Sequence, residues 1–419
     1  MTRFFILLIC IMSCAVEANS STSTETTSTI LLDRNLEQVD PSSQVLFFED
    51  QAHLLTAEQV ALVDESKWQT LPDGAANFGF SKSAYWFSLN LENTDQIDLS
   101  LYLHINYAQL DNIELFNLVP ETKADLPSVQ RLYQVGDLQE FDARPVSFPS
   151  FLLPLELSAK ESKKYLLKVN SKGSLQIPMQ IAIKENFLLS SNNSLFLYGC
   201  FLSALLIMSA YNLCLFLIIR DKTYLLYSAF IFCMAGVHSS LDGFAYQWFW
   251  PGAAAWHQVS AITFIFFGLI ATILFTKTLL PIPKGSYLSK GIKALTIVAV
   301  SAAFTSIFLP YRQAAVLAGV MSVMVMSSVA ITCIAMLKHS PRIARFFCIA
   351  WGAYFSGIVL KSSSKMGYLP STPFTEYAGN IGAVIGIVII AMALADRINN
   401  ERRGRAKAQQ QSINNLKRF

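Results

Sequence analysis

Beyond Asn193 the chain stops alternating polar with apolar residues and turns into a series of long apolar stretches. Segments of that length satisfy their backbone in a bilayer only as helices, and a hydrocarbon core of ~30 Å needs about 20 apolar residues per crossing. Candidate spans fall at 195–219, 224–243, 257–280, 293–309, 313–337, 345–361 and 376–395, seven in all. Charge tests the count. With the preceding residues outside, the cytoplasmic loops and tail hold sixteen Lys and Arg, beginning with Arg220 and Lys222. The outer loops hold three, Arg312, Lys361 and Lys365. That is a strong positive-inside bias, and six or eight spans would break its alternation.

Composition divides the chain at the same place. Residues 19–190 hold 12 basic and 23 acidic side chains, and residues 191–419 hold 19 and 5. Charged residues are 15% overall, against about 25% in a soluble domain. The pI near 8.4 is therefore an average of an acidic domain and a basic membrane domain, and no nucleic-acid partner is implied. At the N-terminus, Arg3, an apolar run from Phe4 to Met12 and small residues at Val16 and Ala18 read as a signal peptide, 1–18. Lipoprotein processing at Cys14 is the alternative. The acidic domain is then exported. It has no cysteine between 19 and 190, so a core and not a disulfide must hold it.

Residues 19–43 open with a polar, low-complexity stretch and read as a linker. From 44 to 190 short runs such as AYWFSLNL, DLSLYLHINY and KYLLKV alternate between turn residues, which predicts an antiparallel all-β sandwich. An all-α seven-helix membrane domain follows at 194–395, then a basic tail at 396–419. No phosphate loop, nucleophile elbow or metal-spaced His/Cys cluster is present, so neither enzyme activity nor a cofactor or metal is expected. His104 sits in a strand pattern and reads as structural. Within the membrane His238, Asp242, Lys361 and Glu376 lie near span ends, where hydration relieves their burial. No lysine lies between 377 and 395 to hold retinal. Asn212 and Asn380 read as interhelical hydrogen-bond partners. Tyr246, Trp248, Trp250 and Trp256 read as an interfacial belt, with a pocket as the alternative.

Two regions resemble a known family, the bacterial seven-transmembrane receptors with diverse intracellular signalling modules. In the exported domain FGFSKSAYWFSLNLEN carries Gly79, Trp86 and Asn93. QLDNIELF carries Asp111, and the GDL…ARPVSFPSFLLPL stretch carries Gly136, Arg144 and Pro145. In the membrane domain the family's first two spans are matched through Asn212, Arg220 and Asp221, and SLDGFAYQWFWP adds Asp242, Gly243, Trp250 and Pro251. The resemblance implies a jelly-roll-like periplasmic sensor, similar to carbohydrate-binding modules, for a small-molecule or carbohydrate ligand. Trp86 is expected in the sandwich core. The location implied is the bacterial inner membrane, with contact to membrane lipid. Relatives continue into kinase, cyclase or phosphatase modules, whereas here about 24 residues follow the last span. The expected output is thus a separate cytoplasmic signalling protein in trans. The tail, which Gly404 interrupts, reads as a basic anchor on anionic lipid, with docking of that protein through Ile413 and Leu416 as the sharper alternative. A transporter, channel or assembly scaffold is the alternative class. Asp221 is expected to cap span two, which is worth about 1 kcal/mol.

The charge asymmetry generates a topology test. Alkaline phosphatase fused after Phe419 should be inactive, and a fluorescent protein at the same place should fluoresce. Phosphatase activity there would invert the whole arrangement.

Overall fold

The computed structural model describes residues 29–71, 76–119, 128–338, 341–365, 369 and 372–416. The expected signal peptide lies outside the described residues. Twelve strands occur among the described residues, and three sheets hold them. In the large sheet β2 (Leu46–Asp50), β5 (Ala84–Asn93), β10 (Ser162–Asn170), β7 (Asn112–Val119) and β8 (Ser128–Val135) run side by side, with β3 (Gln69–Thr70) beyond β2. The small sheet is β12 (Met179–Ile183), β6 (Leu99–Ile105) and β9 (Phe151–Leu157), and β4 (Asn77–Gly79) pairs with β11 (Leu175–Gln176).

Strand alternation builds the core. Tyr85, Phe87, Leu89 and Leu91 of β5 point inward and meet Leu101, Leu103 and Ile105 of β6 and Leu153 and Leu155 of β9. This is the expected sandwich, with two differences. Thr29–Leu32, placed in the linker by the sequence reading, forms β1 and runs parallel to the end of β5. Ile30 and Leu32 supply apolar side chains to the core, enough to hold a strand that polar neighbours disguise. Trp86 is fully buried, but on the opposite face of β5 from that core. It joins Phe116 and Leu166 beneath the short helix Ala57–Ala61, which Thr56 and Gln59 close in a capping box.

Among the described residues seven helices are long and apolar enough to cross a membrane: Lys184–Ile219, Lys222–Leu241, Ala254–Leu279, Tyr287–Ser306, Tyr311–Met336, Pro341–Lys365 and Pro373–Leu416. They are called spans one to seven. Span one starts directly after β12, well before residue 195, so no free hinge separates sandwich from bundle. Apolar surfaces gain little from meeting one another in lipid, so packing and hydrogen bonds join the helices. Ser209 of span one and Ser228 of span two exchange hydroxyl-to-carbonyl bonds of 3.0 and 2.7 Å. The Tyr227 hydroxyl donates to the Ile387 carbonyl of span seven at 2.6 Å. Asn212, expected to bond between helices, donates instead to Met208 in its own helix at 2.8 Å. Spans six and seven touch backbone to backbone, since a Cβ on Gly382 would lie 2.5 Å from the Ala353 carbonyl oxygen. Span seven continues as one helix through Gly404 to Leu416; the glycine does not break it.

Candidate functional site

The motif residues of the sandwich have separate tasks. Gly79 takes a positive φ of 59° at the end of β4. The Asn93 amide donates to the carbonyls of Ile97 and Ser158 at 2.8 and 2.9 Å, joining two hairpin ends. Asp111 accepts from Ser171 Oγ at 3.2 Å and the Lys172 amide at 2.9 Å. Pro145 is exposed. Arg144 is buried, and its Nη1 donates to the carbonyls of Phe148, Pro149 and Ser150 at 3.0, 2.8 and 3.3 Å.

Arg144 belongs to the sandwich, yet it lies where the sandwich meets the bundle. Its guanidinium carbon is 4.6 Å from the Phe141 ring, 4.4 Å from Phe151 and 5.8 Å from Tyr246. Tyr246 comes from the short helix Phe244–Trp248 between spans two and three. Its hydroxyl donates to the Gln139 carbonyl, and its ring stacks on His257 of span three at 4.2 Å. Trp250 Nε1 donates to His257 Nδ1 at 3.4 Å, and the Pro251 carbonyl accepts from the Phe141 amide at 3.0 Å. Gly243, with φ of 81°, lets this turn slide under the sandwich. A Cβ there would lie 2.1 Å from the Pro149 carbonyl oxygen. Beside it Asp242 accepts from the Tyr198 hydroxyl of span one at 2.6 Å.

Further contacts widen this junction. Phe187, at the start of span one, packs edge-on against Tyr102 and His104 on the outer face of the small sheet. At span five the Arg312 guanidinium lies 5.6 Å from the Phe80 ring centre, and Gly173 faces the Tyr311 ring. The outer ends of spans one, two, three and five thus all engage the sandwich. The aromatic loop is accordingly divided. Trp248 and Phe249 stay exposed, as an interfacial belt requires, whereas Tyr246 is wholly buried in the junction.

The comparisons agree with this two-part construction. Residues 42–182 match the family described as 7TMR-DISM extracellular 2, and residues 194–397 match the one described as 7TM diverse intracellular signalling. The chain belongs to this receptor family. No curated protein matches it. Membership makes it a membrane signalling receptor with an extracellular domain ahead of seven spans.

At the far end of the bundle this receptor has a second polar knot. Arg220 ends span one in a left-handed conformation, φ 63°. Asp221 then caps span two, its Oδ1 accepting from the Thr223 amide at 2.9 Å and the Thr223 hydroxyl at 2.7 Å. Its Oδ2 faces Arg397 Nη2 of span seven at 3.6 Å. Arg397 Nη1 also donates to Thr223 Oγ1 at 3.1 Å and the Thr278 carbonyl at 3.4 Å. One side chain therefore ties span seven to spans two and three, where the helix leaves the bundle.

A groove of about 550 Å³ opens at the ends of β5, β7 and β10, lined by Asn90, Asn117, Glu161, Ser162 and Lys164 among others. Amides, hydroxyls and charges line it beside Leu118 and Val119, and no aromatic ring does, which suits a small polar or anionic ligand better than a stacked sugar ring. None of the motif residues lies in it. No group of three or more metal-ligating side chains is found among the described residues.

The junction also contains buried charge. Burial, with the neighbouring Asp111 carboxylate, pushes the Asp137 carboxyl up to about 7, against the pull of Arg144 and Gln258. Burial lowers Arg144 to about 10, so it stays charged at neutral pH. His104, buried on the small sheet, is lowered to about 4 and stays neutral. Between its unfolded value of 3.8 and about 7, Asp137 keeps a proton in the folded chain that the unfolded chain has released. Its contribution to stability is full below that window and falls as pH rises through it. Asp137→Asn should therefore flatten the dependence of thermal stability on pH between 5 and 8. An unchanged slope would show that Asp137 is ionised throughout.

Proposed function

We propose that this receptor senses a small polar ligand, carbohydrate or anion, with its extracellular sandwich, and relays occupancy through the Arg144–Tyr246 junction to span seven. The observation that carries this reading is the interlocked junction. A sandwich fixed to four span ends cannot change its pose without moving them. Span two leads rigidly from Gly243 at the junction to Asp221 at the Arg397 knot, and span seven leads out as a helix to Leu416. The positive-inside charge bias supports an orientation in the bacterial inner membrane with the sandwich in the periplasm and span seven's extension in the cytoplasm. That basic helix would present the change to a separate signalling protein. A ligand shifts the helices only by binding one arrangement better than the other.

The full chain in nanodiscs, screened by thermal shift against neutral sugars, amino sugars and small anions, tests this. A ligand at a hundred times its Kd adds about 2.7 kcal/mol to stability. The expected hit is abolished by Lys164→Ala and changes the distance between spin labels at Lys222 and Gln411. A hit indifferent to Lys164, or one that leaves that distance unaltered, would overturn the reading.

A further inference from the structure

An apolar cavity in the bundle lies between spans two, three, five and six, with its outer end one turn from the junction. It measures about 550 Å³, within the range of roughly 300–1,000 Å³ typical of small-molecule sites. Phe230, Met234, Leu269, Met326 and Tyr354 are among the residues of its wall, and His238 stands at its outer end. Val323, Ser327 and Ala330 of span five line it and are also exposed on the bundle's flank. The cavity is therefore open to the hydrocarbon of the membrane.

We propose that this cavity binds a single-chain amphiphile of the fatty-acid class, entering between spans five and six with its head at His238. An apolar wall alone selects nothing in a bilayer, because lipid tails are as apolar as the cavity. Selection must come from a polar group; the Thr272 and Ser322 hydroxyls are spent on their own helices, and His238 is the imidazole at the cavity's outer end. Its ring meets the edge of Phe201 at 5.1 Å and has no hydrogen bond among the described residues. The Asp242 carboxylate, which accepts from Tyr198, and the Lys361 ammonium of span six bring opposite charges to bear on the ring. The site therefore offers the unpaired ring nitrogens of His238, between balanced charges, to a carboxyl head. A phospholipid is a poorer fit. One turn beyond His238, the Asp242–Gly243 turn is covered by Pro149 and Ala108 of the sandwich, which leaves no room for a headgroup above the histidine. Such a ligand would wedge spans two, three, five and six next to the junction, giving the receptor a second input from the membrane.

The probe is a long-chain fatty acid carrying a mid-chain diazirine, photolysed with the full receptor in nanodiscs and mapped by mass spectrometry. Label should concentrate on peptides 230–238, 322–330 and 354–358, and excess unlabelled oleate should compete it away. Ala330→Phe and Ser327→Phe fill the cavity from its lipid-exposed side, so they spare the core. Each should lower labelling at least five-fold. His238→Leu should lower labelling by the acid but not by a headless diazirine alkane. Label spread evenly over all seven spans, or equal labelling of the same peptides by a photoactivatable phospholipid, would overturn the proposal. So would labelling by the acid that is indifferent to His238.

Discussion

A guanidinium buried at the seam between two domains is the constraint on which the rest of this structure depends. Removing such a charge from water costs several kcal/mol unless neighbours replace the lost hydration. Three consecutive carbonyls, two phenylalanine rings and Tyr246 surround Arg144, and the Asp137 carboxyl, protonated over much of the acidic range, lies nearby. Only Tyr246 comes from the membrane domain. Its Nε and Nη2 are buried with no hydrogen-bond partner among the described residues, so the arginine gains its aromatic contact with the bundle only when the turn after span two is seated beneath the sandwich. That requirement explains Gly243, where any side chain would strike the Pro149 carbonyl, and Pro251, whose carbonyl accepts from Phe141.

The consequence is mechanical. A sandwich held through a flexible linker can bind ligand without informing the bundle, whereas this one has span one growing directly from β12 and Phe187 fixed against the small sheet. The bundle in turn has few strong internal ties. Ser209 with Ser228, Tyr227 with Ile387 and the close backbones at Gly382 join neighbouring helices. Arg397 joins span seven to spans two and three at the opposite end from the sandwich. Polar knots at both ends of a bundle with a largely apolar middle suit a device in which small helix shifts are passed along and not absorbed.

Much of this was legible in the sequence. Seven apolar runs and strand alternation gave the architecture, because hydrocarbon length and the two-residue strand period act locally. The cap at Asp221 was legible for the same reason, being set by residues two positions away. The β1 strand was not, since Thr29–Leu32 is held by β5 some sixty residues later. Trp86 was rightly expected to be buried but belongs to the outer face of its sheet, because the helix that covers it could not be placed from spacing. The motif residues Arg144, Gly243, Trp250 and Pro251 were legible individually as resemblance, yet their meeting at one junction was not. Asp137, His257 and Tyr311 were missed altogether. An acid in GDL, a histidine at a helix start and a tyrosine after a proline have no local signature. Their surroundings come from four separate chain segments.

The central claim is that Arg144 and Tyr246 act as one unit across the domain boundary. A double-mutant cycle with Arg144→Met and Tyr246→Leu, read as unfolding free energy of the full chain in detergent or nanodiscs, tests it most directly. Stacked cation–aromatic pairs are worth about 0.5–2 kcal/mol when shielded from water. The account predicts a coupling energy of about 1 kcal/mol or more between the two sites. Strictly additive losses, with coupling below about 0.3 kcal/mol, would contradict it and leave the sandwich resting on the bundle without an energetic link.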